Sequence, residues 1–209
     1  MSLLAFPIDH IAAGVTLLAG RAGPEALAEA LSVIEKAPPR SYTTPWGKRM
    51  SVQMTSCGRY GWYSDSSGYR YTETDLERGG RWPPMPPALR HLAGEAAAAA
   101  GFARFEPEAC LINVYGPGAK MGLHQDRDEA DFGQPVVSVS FGRDGRFRLG
   151  GRRRSDPTRT LVLHHGDVLV FGGPARLMYH GLDRLDGPTH PVVGDRRINL
   201  TFRRVEAVH

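Results

Sequence analysis

The sequence predicts a mainly β chain with flanking helices, built on a two-sheet jelly roll. Three observations carry this. After residue 108 the chain breaks into short alternating segments, ACLINVYG, KMGLHQD, PVVSVSFG, RFRLGG, TLVLHHG, DVLVFGG, MYHGLDRL and RINLTFRRV. Gly or Pro stands at each break, which is the spacing of an antiparallel all-β domain. Helical periodicity is confined to two stretches upstream, and 209 residues suit one domain with an extension.

The first twenty residues are fairly apolar, but they include Pro7, Asp9 and His10 and carry no Lys or Arg before Arg21, so they do not read as a secretory signal. Residues 25–37 follow Gly23-Pro24 and space Leu27, Leu31 and Ile34 as one helical stripe, stopped by Pro38-Pro39. Residues 40–86 hold all three Trp (46, 62, 82) and five of the seven Tyr (42, 60, 63, 69, 71), interleaved with Arg and broken by Gly58, Gly61 and Gly68. Such rings serve either a hydrophobic centre or a stacking platform for unpaired bases, and both readings stand on these residues alone. A second, Ala-rich helix is expected from about Pro87 to Ala100, with Gly101 as its stop.

With 41% hydrophobic and 23% charged residues, and no run of about 18 apolar residues, a disordered tail and a helical membrane protein are excluded. Cys57 and Cys110 lie far apart in sequence without CxxC spacing, so neither a disulfide scaffold nor a zinc knuckle is suggested and a reducing, cytoplasmic compartment is expected. The net charge is only +4, but residues 143–159 carry seven Arg against Asp144 and Asp156. That segment is either a phosphate-contacting surface or a solvated Arg-rich loop.

The chemistry begins at His124-Gln125-Asp126. On an extended segment residues two apart project from one face, so an imidazole and a carboxylate could share a metal ion. His180 supplies a second imidazole from another strand. Two His and one carboxylate leave open positions for co-substrate and oxygen, as in non-haem Fe(II) oxygenases, although HxD alone recurs by chance. In RINLTFR, Arg197, Asn199, Thr201 and Arg203 fall on one strand face and Ile198, Leu200 and Phe202 on the other. The two Arg would lie about 20 Å apart along an extended strand; they either converge on one diacid or make two independent surface ion pairs of little value. Asn113 and Tyr115 share a face of LINVYGPG and offer an amide and a phenol.

From Arg40 to Arg203, through MTSCGRYGW, GYRY, WPPMP, CLINVYGPGAKMGLHQDRDE, VVSVSFG, LGG, HGDVLVFGG, YHG and RINLTFR, the chain resembles the AlkB family of Fe(II)- and 2-oxoglutarate-dependent dioxygenases that reverse alkylation damage in nucleic acids. The resemblance implies a double-stranded β-helix core with an N-terminal nucleotide-recognition lid. Residues 1–39 would form an extension and helix, 40–107 the lid and its supporting helix, and 108–209 the catalytic roll, in one compact domain. It further implies that His124, Asp126 and His180 hold Fe(II), and that Asn113, Tyr115, Arg197, Asn199 and Arg203 bind 2-oxoglutarate, the two Arg taking its two carboxylates. Trp62, Tyr69 and Met54 match the lid, Asp128 the acidic residue facing the lesion's amine, and Arg154 a basic residue near the flipped base. Thr44 and Lys120 match positions near the substrate strand, and Phe171 lines the pocket where some relatives have Trp.

The implied reaction uses O2 to demethylate 1-methyladenine and 3-methylcytosine, with single-stranded DNA preferred and double-stranded DNA or RNA as further candidates. A non-catalytic single-strand-binding module remains the alternative from another class. A monomer with no membrane partner is expected.

Overall fold

A computed structural model describes residues 7–207 of the chain; the apolar start at residues 1–6 lies outside the described residues. The eight segments after residue 108 form eight strands, β6 (Ala109–Tyr115), β7 (Met121–His124), β8 (Val136–Gly142), β9 (Asp144–Leu149), β10 (Arg159–Leu163), β11 (Val168–Phe171), β12 (His180–Asp186) and β13 (Arg197–Arg203). Upstream lie β1 (Ile8–Ala12), β2 (Val15–Leu18), α1 (Pro24–Lys36), β3 (Gln53–Gly58), β4 (Gly61–Asp65), β5 (Gly68–Thr72) and α2 (Pro87–Ala99). Strand pairing gives a seven-stranded sheet in the order β1-β2-β11-β8-β13-β6-β3, a four-stranded sheet β10-β9-β12-β7, and the hairpin β4-β5. This is the antiparallel double-stranded β-helix.

The large sheet is covered on both faces, which is why β6 and β8 are buried at every position and read as continuous apolar runs. Along β13, Ile198, Leu200 and Phe202 join Cys110, Ile112 and Val114 of β6 in one core with Leu27, Ala30 and Val33 of α1 and Leu89, Ala93 and Ala96 of α2. The alternate residues Arg197, Asn199, Thr201 and Arg203 face the opposite way, into the cavity between the sheets. The polar row expected on one face of RINLTFR is therefore the wall of a pocket, not a surface.

Both helices stand where their periodicity places them, and each begins on a Pro, whose missing N–H is no loss in the first turn. The fully buried stripe of α1 is Ala26, Leu27, Ala30 and Val33, with Leu31 and Ile34 on its flank, a small rotation from the expected face. The large sheet also recruits β1, β2 and β3, because β2 pairs with β11 and β3 pairs with β6. In the second pairing Cys57 stands directly opposite Cys110. Both thiols are free and buried, and burial pushes Cys110 well above its ordinary value, keeping it protonated.

The aromatic region divides into buried and exposed rings. Tyr42, Tyr63 and Trp82 are buried, and the Trp82 indole packs so close to Gly61 that any Cβ there would lie 2.2 Å from the ring. Tyr69 and Trp46 are exposed. Among the described residues no helix is long and apolar enough to cross a membrane.

Leu200 is fully buried between β13 and the helices. Leu200→Ala is expected to lower unfolding free energy by about 2–5 kcal/mol, read as a reduced denaturation midpoint with an unchanged denaturant slope.

Candidate metal centre and co-substrate pocket

A cavity of about 900 Å³ opens between the two sheets. Strand register brings the two imidazoles together at its wall, since His124 on β7 is the cross-strand partner of His180 on β12. Their ring centroids are 4.4 Å apart. Strand β7 ends at His124, so Asp126 comes from the loop beyond it rather than from the strand face. It nevertheless reaches both rings: Oδ1 is 3.7 Å from His124 Nε2, and Oδ2 is 3.7 Å from His180 Nε2.

The backbone fixes which nitrogen each ring presents. His124 Nδ1 lies 2.9 Å from the Gly122 carbonyl and His180 Nδ1 3.0 Å from the Met178 carbonyl. A carbonyl only accepts, so Nδ1 carries the proton and each Nε2 turns a lone pair toward Asp126. His180 is sandwiched between Phe147 and Phe171, at centroid distances of 5.7 and 4.9 Å. Burial, then the neighbouring His124, push its pKa down to about 4, so it is neutral and able to ligate at physiological pH.

Asp126 Oδ2 is buried with no hydrogen-bond partner, and the three donor atoms lie within 4.8 Å of one another. A buried carboxylate oxygen without a partner, facing the two ring nitrogens, is a fitting seat for a cation. Two nitrogens and one oxygen with the rest of the sphere open suit Fe(II).

Asp126 stays ionised through a buried charge cluster. Burial opposes its ionisation, but the Arg203 guanidinium, the largest favourable influence, helps hold the carboxyl well below its usual range. Arg203 Nη2 pairs with Asp126 Oδ1 at 2.8 Å and its Nε lies 3.2 Å from Glu129 Oε1. Glu129 also pairs with Arg176 at 2.8 Å and accepts a 2.6 Å hydrogen bond from the Tyr71 hydroxyl. Arg176 in turn donates to the Asp126 carbonyl. Nothing in the sequence alone marks Tyr71, Glu129, Arg176 and Phe147 as parts of this site. Tyr71 lies in GYRY and Glu129 in HQDRDE, but their spacing does not mark them as a network.

Arg197 is the complementary case. It is 1% exposed, donates to Ser140 Oγ at 2.6 Å and to the Leu163 carbonyl at 3.4 Å, and pairs with no carboxylate among the described residues. Burial lowers its pKa to about 10, still leaving it charged. Tyr115 is its cross-strand neighbour, and burial keeps that phenol protonated as a donor. Asn113 faces Asn199 in register, and its buried Oδ1 has no partner. A buried unpaired cation with a phenol and amides beside it fits one end of a dicarboxylate. Arg203, in contrast, is already engaged by two carboxylates.

Over the mouth, Trp62 of β4 stacks on Tyr69 of β5 with centroids 5.4 Å apart, and Trp62 Nε1 donates to Asp128 Oδ2 at 2.9 Å. Met54 is buried opposite Asn113 on β3. Arg154 donates to the Leu123 carbonyl and lies over Tyr179. Thr44 and Lys120 lie at the rim.

Residues 14–203 match the 2OG-Fe(II) oxygenase superfamily. The chain is 46% identical over 199 residues to the alpha-ketoglutarate-dependent dioxygenase AlkB of Escherichia coli (strain K12), covering 94% of this chain and 92% of that one. It belongs to the AlkB family. An AlkB homolog of Caulobacter vibrioides (strain NA1000 / CB15N) is 52% identical over 181 residues, covering 86% of this chain and 80% of its own. The solved structure of OsALKBH1 superposes with a TM-score of 0.80 at 28% identity, covering 95% of this chain and 100% of that one. As an AlkB-family member the protein is a dioxygenase that uses Fe(II), 2-oxoglutarate and O2, and the His124, Asp126, His180 group could hold the metal.

Two outcomes follow from this geometry. Glu129→Gln removes a charge that balances both Arg203 and Arg176, and breaking such a buried pair is expected to cost about 3–5 kcal/mol of stability, measured by denaturant unfolding. His180 has an ordinary value of 6.5 when unfolded, so the unfolded chain takes up its proton first. The stability advantage of the metal-free protein over His180→Gln is therefore expected to shrink as pH falls from 6.5 toward 4.

Proposed function

We propose that the enzyme oxidatively demethylates 1-methyladenine and 3-methylcytosine in single-stranded DNA as a cytoplasmic monomer. His124, Asp126 and His180 serve as iron ligands in this reading. Asn113, Tyr115, Arg197, Asn199 and Arg203 form the 2-oxoglutarate site, and Met54, Trp62, Tyr69, Asp128, Arg154, Thr44 and Lys120 the substrate site.

The observation that carries it is the Asp128 carboxylate held by Trp62 beside the Trp62–Tyr69 stack at the pocket mouth. Both lesions are cations, and a carboxylate covered by a base favours them over their neutral parents, since attraction strengthens as water leaves. The two rings offer a face to a base that has left its stack, recovering part of an unstacking cost that is least in a single strand.

Bound Fe(II) with 2-oxoglutarate and O2 supplies the oxidation: 2-oxoglutarate becomes succinate and CO2, and the N-methyl group becomes hydroxymethyl. The hydroxymethyl group departs as formaldehyde and leaves the unmodified base. The chain itself positions and shields. Arg197 and Tyr115 orient the distal carboxylate, Arg203 keeps Asp126 anionic, and Phe147 and Phe171 keep water from His180. No side chain acts as a nucleophile.

The test is to load the protein anaerobically with Fe(II) and 2-oxoglutarate, admit oxygen with a 1-methyladenine oligodeoxynucleotide, and follow formaldehyde and base mass. Turnover is expected, with Asp128→Asn lowering it more on methylated cations than on neutral lesions; absence of demethylation rejects the reading. Faster turnover of the matching oligoribonucleotide moves the substrate to RNA. His124→Ala is expected to bind the oligonucleotide without turnover, whereas a binding module would lack turnover in the unaltered chain as well.

A further inference from the structure

We propose that Trp46 is a second base-stacking site, outside the lesion pocket, which takes an unmodified nucleobase flanking the damaged nucleotide. The inference rests on the nucleic-acid reading above. Trp46 is 83% exposed, the most exposed large hydrophobic side chain among the described residues. An indole left in water contributes nothing to the core, and apart from Pro45 its chain neighbours Thr44, Gly47, Lys48 and Arg49 add no apolar side chain for a protein partner.

The backbone holds this indole on a built support. Thr44 N donates to the Lys48 carbonyl at 2.8 Å and Gly47 N to the Thr44 carbonyl at 2.8 Å, closing a three-residue hairpin loop Pro45-Trp46-Gly47. Pro45 restricts the first loop position, and Gly47 takes the left-handed conformation, with φ +78°, that the last one requires. The Thr44 hydroxyl accepts from Lys48 N at 3.1 Å, and Ser64 Oγ donates to the Thr43 carbonyl at 2.6 Å, tying the loop to β4. Stacking on a tip fixed in this way demands little ordering of the protein.

The loop shares the rim of the metal pocket with Trp62 and Tyr69, so a strand with one base in the pocket passes beside it. Lys48, Arg49 and Lys120 line the same opening as the indole, are exposed, and pair with no carboxylate among the described residues. A flat π face among unpaired cations matches a nucleobase with its adjoining phosphates.

Trp82 is buried and Trp62 half-buried, so Trp46 is the most water-exposed of the three indole emitters. Titrating the full chain with unmodified single-stranded DNA of about eight nucleotides is expected to quench that emission. Trp46→Ala is expected to lose most of the quench and bind about tenfold more weakly, while Trp46→Phe keeps most of the affinity. With a methylated oligonucleotide, replacing the flanking nucleotides by abasic sites is expected to raise KM for the unaltered enzyme but not for Trp46→Ala. Wild-type affinity in Trp46→Ala, or an equal abasic penalty in both proteins, overturns the proposal. If the unaltered chain demethylates and Trp46→Ala matches its KM, this inference alone fails. If the Trp46 quench appears without demethylation, the demethylase reading alone fails.

Discussion

The structure turns on a balanced set of buried charges, Asp126 and Glu129 against Arg203 and Arg176. A carboxylate sealed from water protonates unless cations stand close enough to replace its solvation. Arg203 does this for Asp126, but a guanidinium buried for one carboxylate is itself costly, and Glu129 offsets it. Arg176 completes the balance and holds the backbone of Asp126 through its carbonyl. The last strand of the roll, the loop after β7, the turn before β12 and the hairpin bearing Tyr71 all meet at this point.

The same economy governs the sheet. Each central strand of the large sheet gives one face to the helices and the other to the pocket, so a single backbone register sets both core packing and site geometry. Asn113 meets Asn199, Arg197 meets Tyr115, and His124 meets His180 because the ladders pair those residues. A shift of one residue would turn the polar row of β13 into the helical core and send Ile198, Leu200 and Phe202 into the cavity. The apolar face thus enforces the position of the polar one.

How much of this could be read beforehand follows from where the signal is local. The eight strands of the roll are bounded by Gly and Pro, and the alternation in RINLTFR separates its two faces without any tertiary knowledge. HxD with a distal His is legible because the chemistry demands those residue types. In contrast, β1 presents three exposed positions of five, and β3 reads QMTSCG; neither has the alternating pattern of a strand, and pairing with β11 through β2, or with β6, is what makes them strands. Tyr71, Glu129 and Arg176 come from three separated segments, and their association exists only in the folded chain. The Cys57–Cys110 pairing is a product of register in the same way. The distance expected between Arg197 and Arg203 along their strand is compatible with a shared cavity, but their different surroundings, one unpaired and one doubly paired, could not be seen in their spacing.

The β4–β5 hairpin has unequal ends. Near its root, Tyr71 is bonded to Glu129, and Trp82 donates to the Thr72 carbonyl while packing under Gly61. At its tip, Gly68 turns with φ +116° and no heavy atom within 4 Å of where a Cβ would sit. The far end is held by other means: Ser64, paired with Tyr69, donates to the Thr43 carbonyl, and Arg70 pairs with Asp65. One pair of strands thus ties the buried charge cluster, through Tyr71, to the turn that carries Trp46, through Ser64, so whatever shifts one end is felt at the other.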